Sequence, residues 1–199
     1  MTASGMNSYL LLTLFWGLYC TFHSLTAAFW FKRWAASRMG SAYRFYRILY
    51  NAIAVWTAVA LIRFQFAIEP TWLFEPTRMT QILGGLLLLG GVGIVAVALR
   101  NYSAEFFGVK KLLGQEPTPA LVQTGLLGRI RHPLYLGTLL AIWGGLVLDP
   151  RLSHLLVDGI LTIYVFIGIV LEERKLILQF GDTYRQYRRR VPMFLPRIR

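Results

Sequence analysis

The sequence predicts an all-α integral membrane protein with five transmembrane helices, a C-terminal helical hairpin and a cytosolic amphipathic helix. Three observations carry this expectation. First, 56% of the 199 residues are hydrophobic and only 15% are charged, where an average soluble domain is about one quarter charged. So few charges cannot cover a 22.7 kDa globule, and the apolar content excludes disorder. Second, five apolar runs of 16 to 23 residues follow one another. Third, the basic residues fall between alternate runs.

The first run, 9–31, is 23 residues without a formal charge and contains Cys20 and His23. A bilayer crossing takes about 20 residues. Basic residues follow this run rather than precede it, so it reads as an anchor and not as a cleavable signal. The second run, 48–68, carries Arg63 and Gln65 near its far end, where both can snorkel to the interface. The third, 82–99, has no polar side chain. Its glycines Gly84, Gly85, Gly90, Gly91 and Gly93 permit either close helix contact or a smooth substrate groove. The fourth and fifth runs, 133–148 and 152–171, are joined by Asp149-Pro150-Arg151 and form the hairpin.

Eighteen of the 21 Lys and Arg lie on one side of this arrangement: five after the first run, five after the third and eight in the tail. Only Arg63, Arg78 and Arg151 lie on the other. With acids subtracted, the two sides carry +13 and −1. The positive-inside rule then places the N-terminus outside and the C-terminus in the cytosol of a bacterial-type inner (plasma) membrane. The net charge of +12 is thus accounted for without nucleic acid. A lone cysteine excludes an intrachain disulfide and suits packing. No metal motif, Ser/His/Asp set or phosphate loop can be assembled.

Unusual chemistry gathers at the cytosolic ends of the last two runs. Arg131-His132-Pro133 leads into the fourth, and Glu172-Glu173 ends the fifth. The hairpin brings them together across about forty residues of sequence. Two adjacent carboxylates beside an apolar run need a cation. Arg131 paired with Glu172 and a bound ligand are both compatible with this. Pro133 suits the first turn of a helix, which sets Tyr135 just inside the interface. Gly181 is placed to end a helix in a left-handed conformation and Asp182 to cap the next. Beyond it, Tyr184 and Tyr187 share one helical face while Arg185, Arg188, Arg189 and Arg190 interleave. That pattern predicts an amphipathic helix on the anionic inner leaflet, its tyrosines placed to cover a pocket.

RHPLYLG at 131–137, EERKLILQFGDTYRQY at 172–187 and VPMFLP at 191–196 resemble the membrane methyltransferases of the isoprenylcysteine carboxyl methyltransferase superfamily. LVQTGLLGRI at 121–130 is similar to that family's lead-in. FHSL at 22–25 and YRFYRILYN at 43–51 lean toward the nitrous-oxide-regulator-like and methanethiol methyltransferase branches. The resemblance implies S-adenosyl-L-methionine as methyl donor. Carried over position by position, Leu121, Val122 and Leu127 would line its site, His132, Pro133, Leu134 and Tyr135 would wrap it, and Glu172 would take its ammonium group. The prenylcysteine enzymes place an arginine four residues before that glutamate, where this chain has Gly168, which argues against a prenylated protein as acceptor.

The residues fit that chemistry on their own terms. Glu172, Glu173 and Arg131 can pair an ammonium and a carboxylate, and the faces of Tyr135 and Tyr184 favour a sulfonium. Methyl transfer requires in-line positioning and exclusion of water. A thiol acceptor also needs a lowered pKa or a nearby carboxylate, and Glu173 is the candidate, with Arg131 orienting donor or acceptor. His23, facing Ser24, Asn51 and Tyr102 near the cytosolic end, is a candidate for acceptor binding or for neutral packing. Residues 1–199 read as one membrane domain, with 1–100 a three-span bundle on the acceptor side. Residues 101–199 supply the cofactor loop, the hairpin and the amphipathic helix. The acceptor is expected to be small or lipophilic, a thiol or a carboxylate. A non-enzymatic scaffold or cofactor sensor of the same fold, and haem ligation by His23 and His132, are the alternatives.

Overall fold

The computed structural model describes the backbone of residues 3–106 and 120–195, and side chains within 5–100 and 120–195. Among the described residues the chain is helical, with one isolated bridge between Trp72 and Arg151. Helix α1 (Ala3–Ala27) stops at Ala28, whose backbone is extended at φ −64°, ψ 147°. The first apolar run is therefore broken before its predicted end at residue 31. The basic connection that follows is itself helical, as α2 (Phe29–Met39), and ends at Gly40 with φ +52°. A 3-10 turn, Gly40–Phe45, leads into α3 (Tyr46–Ala67). Then come α4 (Arg78–Phe106), a 3-10 turn at Gly125–Gly128, α5 (Pro133–Leu148) and α6 (Leu152–Arg190).

Among the described residues, four stretches are long and apolar enough to cross a bilayer: Gly5–Ala27, Phe29–Ala67, Arg78–Arg100 and Leu152–Arg190. The helix Pro133–Leu148 is shorter, at 16 residues. A helix of that length reaches about 24 Å, against a hydrocarbon core of about 30 Å. The fourth of the five runs is thus the short one, at the 16 residues the sequence gives it, while the others lie mostly within longer apolar stretches. Leu10, Leu18, Leu86 and Leu89 are each more than half exposed, so α1 and α4 present apolar side chains outward, as lipid-facing helices do.

The chain divides into two compact units. The first contains α1, α2, α3 and the opening turns of α6, Arg151–Ile160. Its α1 and α3 run antiparallel. The Tyr9 hydroxyl donates to the Glu69 carbonyl at 3.1 Å, the Phe15 and Phe64 rings lie 5.9 Å apart, and the Tyr46 hydroxyl donates to the Thr26 carbonyl at 2.6 Å. Cys20 is buried, as a packing cysteine should be. Arg151 lies over the rings of Phe66 and Trp72, and His154 meets Phe66 edge-on at 5.2 Å.

The second unit contains α5, most of α4 and the rest of α6. Here the third apolar run packs on the hairpin through small residues repeating every seven positions. A Cβ on Gly91 would sit 2.5 Å from the backbone of both Gly137 and Ala141, and one on Gly144 would sit 2.5 Å from the backbone of Leu88. Gly84 is equally closed, by Leu148. Gly85, Gly90 and Gly93 have open space instead. Close contact is therefore what Gly84 and Gly91 provide, because only a missing side chain lets two backbones approach so nearly.

Candidate functional site

The hairpin geometry follows from its ends. Asp149 and Pro150 separate α5 from α6, and opposite residues then pair in antiparallel order. The Trp143 indole N–H donates to Thr162 at 3.0 Å, Gly168 faces Tyr135, and His132 meets Glu173. Pro133 occupies the first turn of α5, as expected where no N–H is needed, and the His132 carbonyl accepts the Leu136 N–H at 3.0 Å. Just upstream, the Arg131 N–H donates to the Pro192 carbonyl at 2.9 Å and the His132 N–H to the Met193 carbonyl at 3.2 Å. The closing segment after α6 therefore lies along Arg131-His132 and ties both ends of the second unit together.

Glu173 is the centre of the charge cluster. Its Oε1 is 3.0 Å from Arg131 Nη2 and 3.2 Å from His132 Nε2, and its Oε2 is 3.5 Å from Arg188 Nη1. The side chains of Arg131 and Glu173 are only 9% and 12% exposed, so desolvation is offset by several partners at once. Arg131 Nη1 also donates to the Arg188 carbonyl at 3.0 Å. Arg131 thus pairs with Glu173, not with Glu172 as one reading of the sequence has it. The reason is register: Glu173 turns toward the buried side of α6. Glu172 faces Tyr135, stands 3.9 Å from His132 Nδ1 and keeps its side chain 45% exposed. It is the carboxylate with unused capacity.

Gly181 adopts φ +54°, ψ −127° and kinks α6, the positive φ its position predicts. Past the kink, Tyr184, Tyr187 and Val191 are buried together against Leu121, Ile177 and Phe180. The arginines 185 and 188–190 remain exposed. The Tyr187 hydroxyl donates to the Leu127 carbonyl at 2.6 Å, which fixes the loop before α5. Burial, then the negative charge of Glu173, pushes the Tyr184 phenol well above its ordinary range. Burial likewise raises Tyr187, with Arg131 acting in the opposite direction. The Tyr184 hydroxyl and Arg131 Nε are both buried without a hydrogen-bond partner.

Arg131, His132, Pro133, Tyr135, Glu172, Glu173 and Tyr184 are thus gathered in one place. Leu127 is buried and Leu121 packs on the tyrosines, while Leu134 is partly exposed and Val122 is 43% exposed. Gly168 faces Tyr135, and a Cβ there would make ordinary contact with the Tyr135 hydroxyl, at 3.6 Å. Sequence reasoning singled out Tyr187 with Tyr184 but missed the parts played by Arg188 and by the carbonyls of Leu127, Pro192 and Met193. Only Arg188 left a signal, lying four residues after Tyr184 and hence on the same side of a helix.

His23 belongs to the first unit. Its ring nitrogens lie 2.7 and 3.0 Å from the Tyr50 hydroxyl, and its ring packs beside Tyr19. Tyr50 is therefore the partner that the sequence did not single out. Ser24 and Asn51 are each engaged in polar or ring contacts, and the side chain of Tyr102 lies outside the described residues.

This chain is similar to methanethiol S-methyltransferase 1 of Bradyrhizobium diazoefficiens, 34% identical over 191 residues that cover 92% of this chain and 65% of that protein. It is 37% identical over 134 residues to a methanethiol S-methyltransferase of Pseudomonas deceptionensis, covering 64% of this chain and 50% of that protein. A protein-S-isoprenylcysteine O-methyltransferase of Schizosaccharomyces pombe is 37% identical over 79 residues, 39% of this chain and 34% of that protein. The chain thus spans between one half and two thirds of the length of the two methanethiol enzymes. No solved structure matches it significantly. The family model described as NnrU protein matches residues 9–195. The pairing of Arg131-His132-Pro133 with Glu172-Glu173 therefore sits inside a match that runs through almost the whole sequence, and the chain belongs to the NnrU family.

Proposed function

We propose that this protein is an integral membrane methyltransferase that uses S-adenosyl-L-methionine on a small or lipophilic acceptor, a thiol or a carboxylate. The observation that carries the reading is the combination of saturated and spare groups at one end of the hairpin. Glu173 is held by Arg131, His132 and Arg188, whereas Glu172, the Tyr184 hydroxyl and Arg131 Nε have capacity left. A zwitterionic amino-acid moiety offers an ammonium for Glu172 and a carboxylate for the remaining N–H of Arg131, so the residues present fit the donor. Tyr135 and Tyr184 offer ring faces to a cation. Leu121, Val122, Leu127, Pro133 and Leu134 would supply apolar walls, and His132 would be held by Glu173 in one orientation.

When bound, the cofactor supplies an electrophilic methyl group on a sulfonium. The chain's own task is to orient it and exclude water, and the buried Tyr184–Tyr187 pair would close over the site. For a thiol acceptor the proton must leave the sulfur, and Glu173 with His132 would receive it. Glu173 must then loosen one of its cations. That same saturation favours a second reading, a cofactor sensor that binds without turnover. His23, Asn51 and Tyr102 are assigned to the acceptor.

The arrangement in the membrane belongs to the same proposal. Five crossings, with the short α5 as the fourth, would leave the N-terminus outside and the tail in the cytosol of a bacterial inner membrane. The exposed arginines after Gly181 would then rest on anionic headgroups. Calorimetric titration of the purified protein with S-adenosylhomocysteine tests the function. Saturable binding is expected, weakened about 10- to 100-fold by Glu172→Ala, as loss of a charged hydrogen bond implies. Absence of binding to the unaltered protein, or undiminished binding to the variant, overturns the assignment. A methyl-acceptor panel separates enzyme from sensor.

A further inference from the structure

The first unit contains a cavity of about 220 Å³ between α1, α2 and α3. Its walls are aromatic, formed by Tyr19, Phe22, Phe31, Tyr46 and Tyr50 with His23. None of the twelve described residues that line it carries a formal charge. The hydroxyls around it mostly turn back to the backbone: Thr26 to the Phe22 carbonyl at 2.8 Å, Thr57 to Ile53 at 2.8 Å, and Tyr46 to Thr26 at 2.6 Å. The wall they leave is effectively apolar. Tyr50 instead pairs with the His23 ring, 2.7 Å from hydroxyl to Nε2. A phenolic oxygen has two lone pairs, so Tyr50 can donate to the imidazole and still accept an incoming O–H or S–H.

We propose that this cavity binds one compact, uncharged molecule of single-ring size bearing one hydrogen-bonding head, an arylalkyl thiol or a phenol, with the head on Tyr50–His23. Size, charge and geometry each narrow the class. An apolar cavity of about 150 Å³ holds one benzene, so 220 Å³ admits a ring and a short substituent but not a full lipid chain. A charged ligand would be desolvated with no counter-charge among the described lining residues to meet it. Ring walls pack edge-to-face or offset on a ring, and sulfur near aromatic edges adds a favourable contact. The half-exposed Phe22, Leu49 and Ile53 give an apolar margin through which a neutral molecule enters without losing charge solvation. Binding itself stands apart from the methyl-transfer reading. Identifying the occupant with the methyl acceptor, which His23 is assigned to hold, rests on it.

The test is equilibrium dialysis of the full chain in detergent micelles against benzyl mercaptan, with protein-free micelles as blank. Toluene, benzoate, benzylamine and dodecanethiol serve as comparators. Saturable one-to-one binding of benzyl mercaptan is expected, with benzoate and benzylamine at least about tenfold weaker. Tyr50→Phe should weaken benzyl mercaptan about tenfold and leave toluene unchanged, since only the head loses its hydrogen bond. Ala54→Phe should abolish binding of both by filling the cavity. Helix content and elution volume check that each variant is folded, and a misfolded Ala54→Phe is replaced by Thr57→Trp with the same expectation. Binding of benzoate equal to that of the thiol, preference for dodecanethiol, or a Tyr50→Phe variant that affects toluene and thiol alike would each overturn the proposal. S-adenosylhomocysteine binding, measured separately, reports on the methyltransferase reading alone.

Discussion

At the end of the hairpin in the second unit, one carboxylate meets two guanidinium groups and an imidazole within 3.5 Å. The cavity of the first unit has no formal charge on any described lining residue, and its polar focus is a tyrosine–histidine pair. The difference lies in what each could stabilise. A cluster of compensated charges suits a charged, polar ligand whose groups can replace or extend existing pairs. An uncharged aromatic cavity rejects such a ligand and retains a neutral one. The two proposals thus assign this chain two chemically unlike molecules.

The contrast can be broken most forcefully at Arg131. Replacing it by Met leaves Glu173 buried with fewer cations and should destabilise the protein by about 3 kcal/mol, at the low end for a broken buried pair because Arg188 and His132 remain. Thermal unfolding in detergent measures this. A cost under about 1 kcal/mol would mean that the cluster behaves as a solvated surface pair, and the distinction between the two regions would fall.

A smaller effect is expected at Gly181. Its φ of +54° is unfavourable for any residue with a Cβ, and Gly181→Ala should cost about 1–3 kcal/mol. Open space surrounds the position, so the cost is conformational and not steric. Because the kink sets Tyr184 and Arg188 against the cluster, S-adenosylhomocysteine binding should weaken while benzyl mercaptan binding is unchanged. Equal losses at both would contradict the separation.

The smallest effect concerns pH. The folded protein holds the Tyr184 proton more tightly than an unfolded chain, whose tyrosine has the ordinary value of 10.0. That contribution is fully present below pH 10 and is lost as pH rises past it toward the folded value. Unfolding followed between pH 9 and pH 11 should show stability falling at the upper end, with a shallower slope in Tyr184→Phe. Tyr187, also raised, keeps the slope from vanishing. An unchanged slope would place Tyr184 in a more solvated setting than its burial indicates.

The amino-acid sequence by itself settled whatever depends on local composition. Apolar run length located the helices of the hairpin, Pro133 its start and Gly181 its kink, because those constraints act within a few residues of the chain. Adjacency across the hairpin was also legible, since a turn at 149–151 leaves the ends of two helices little choice. Register was not. Which of Glu172 and Glu173 faces inward depends on a rotation of α6 of about 100° per residue, and only packing against α5 and the closing segment fixes it. The partner of His23 likewise required α3 to lie along α1, as did the cavity beside them. The break at Ala28 escaped notice because an apolar run reports hydrophobicity and not backbone direction. Tertiary packing decided these points, as each is a relation between residues far apart in the chain.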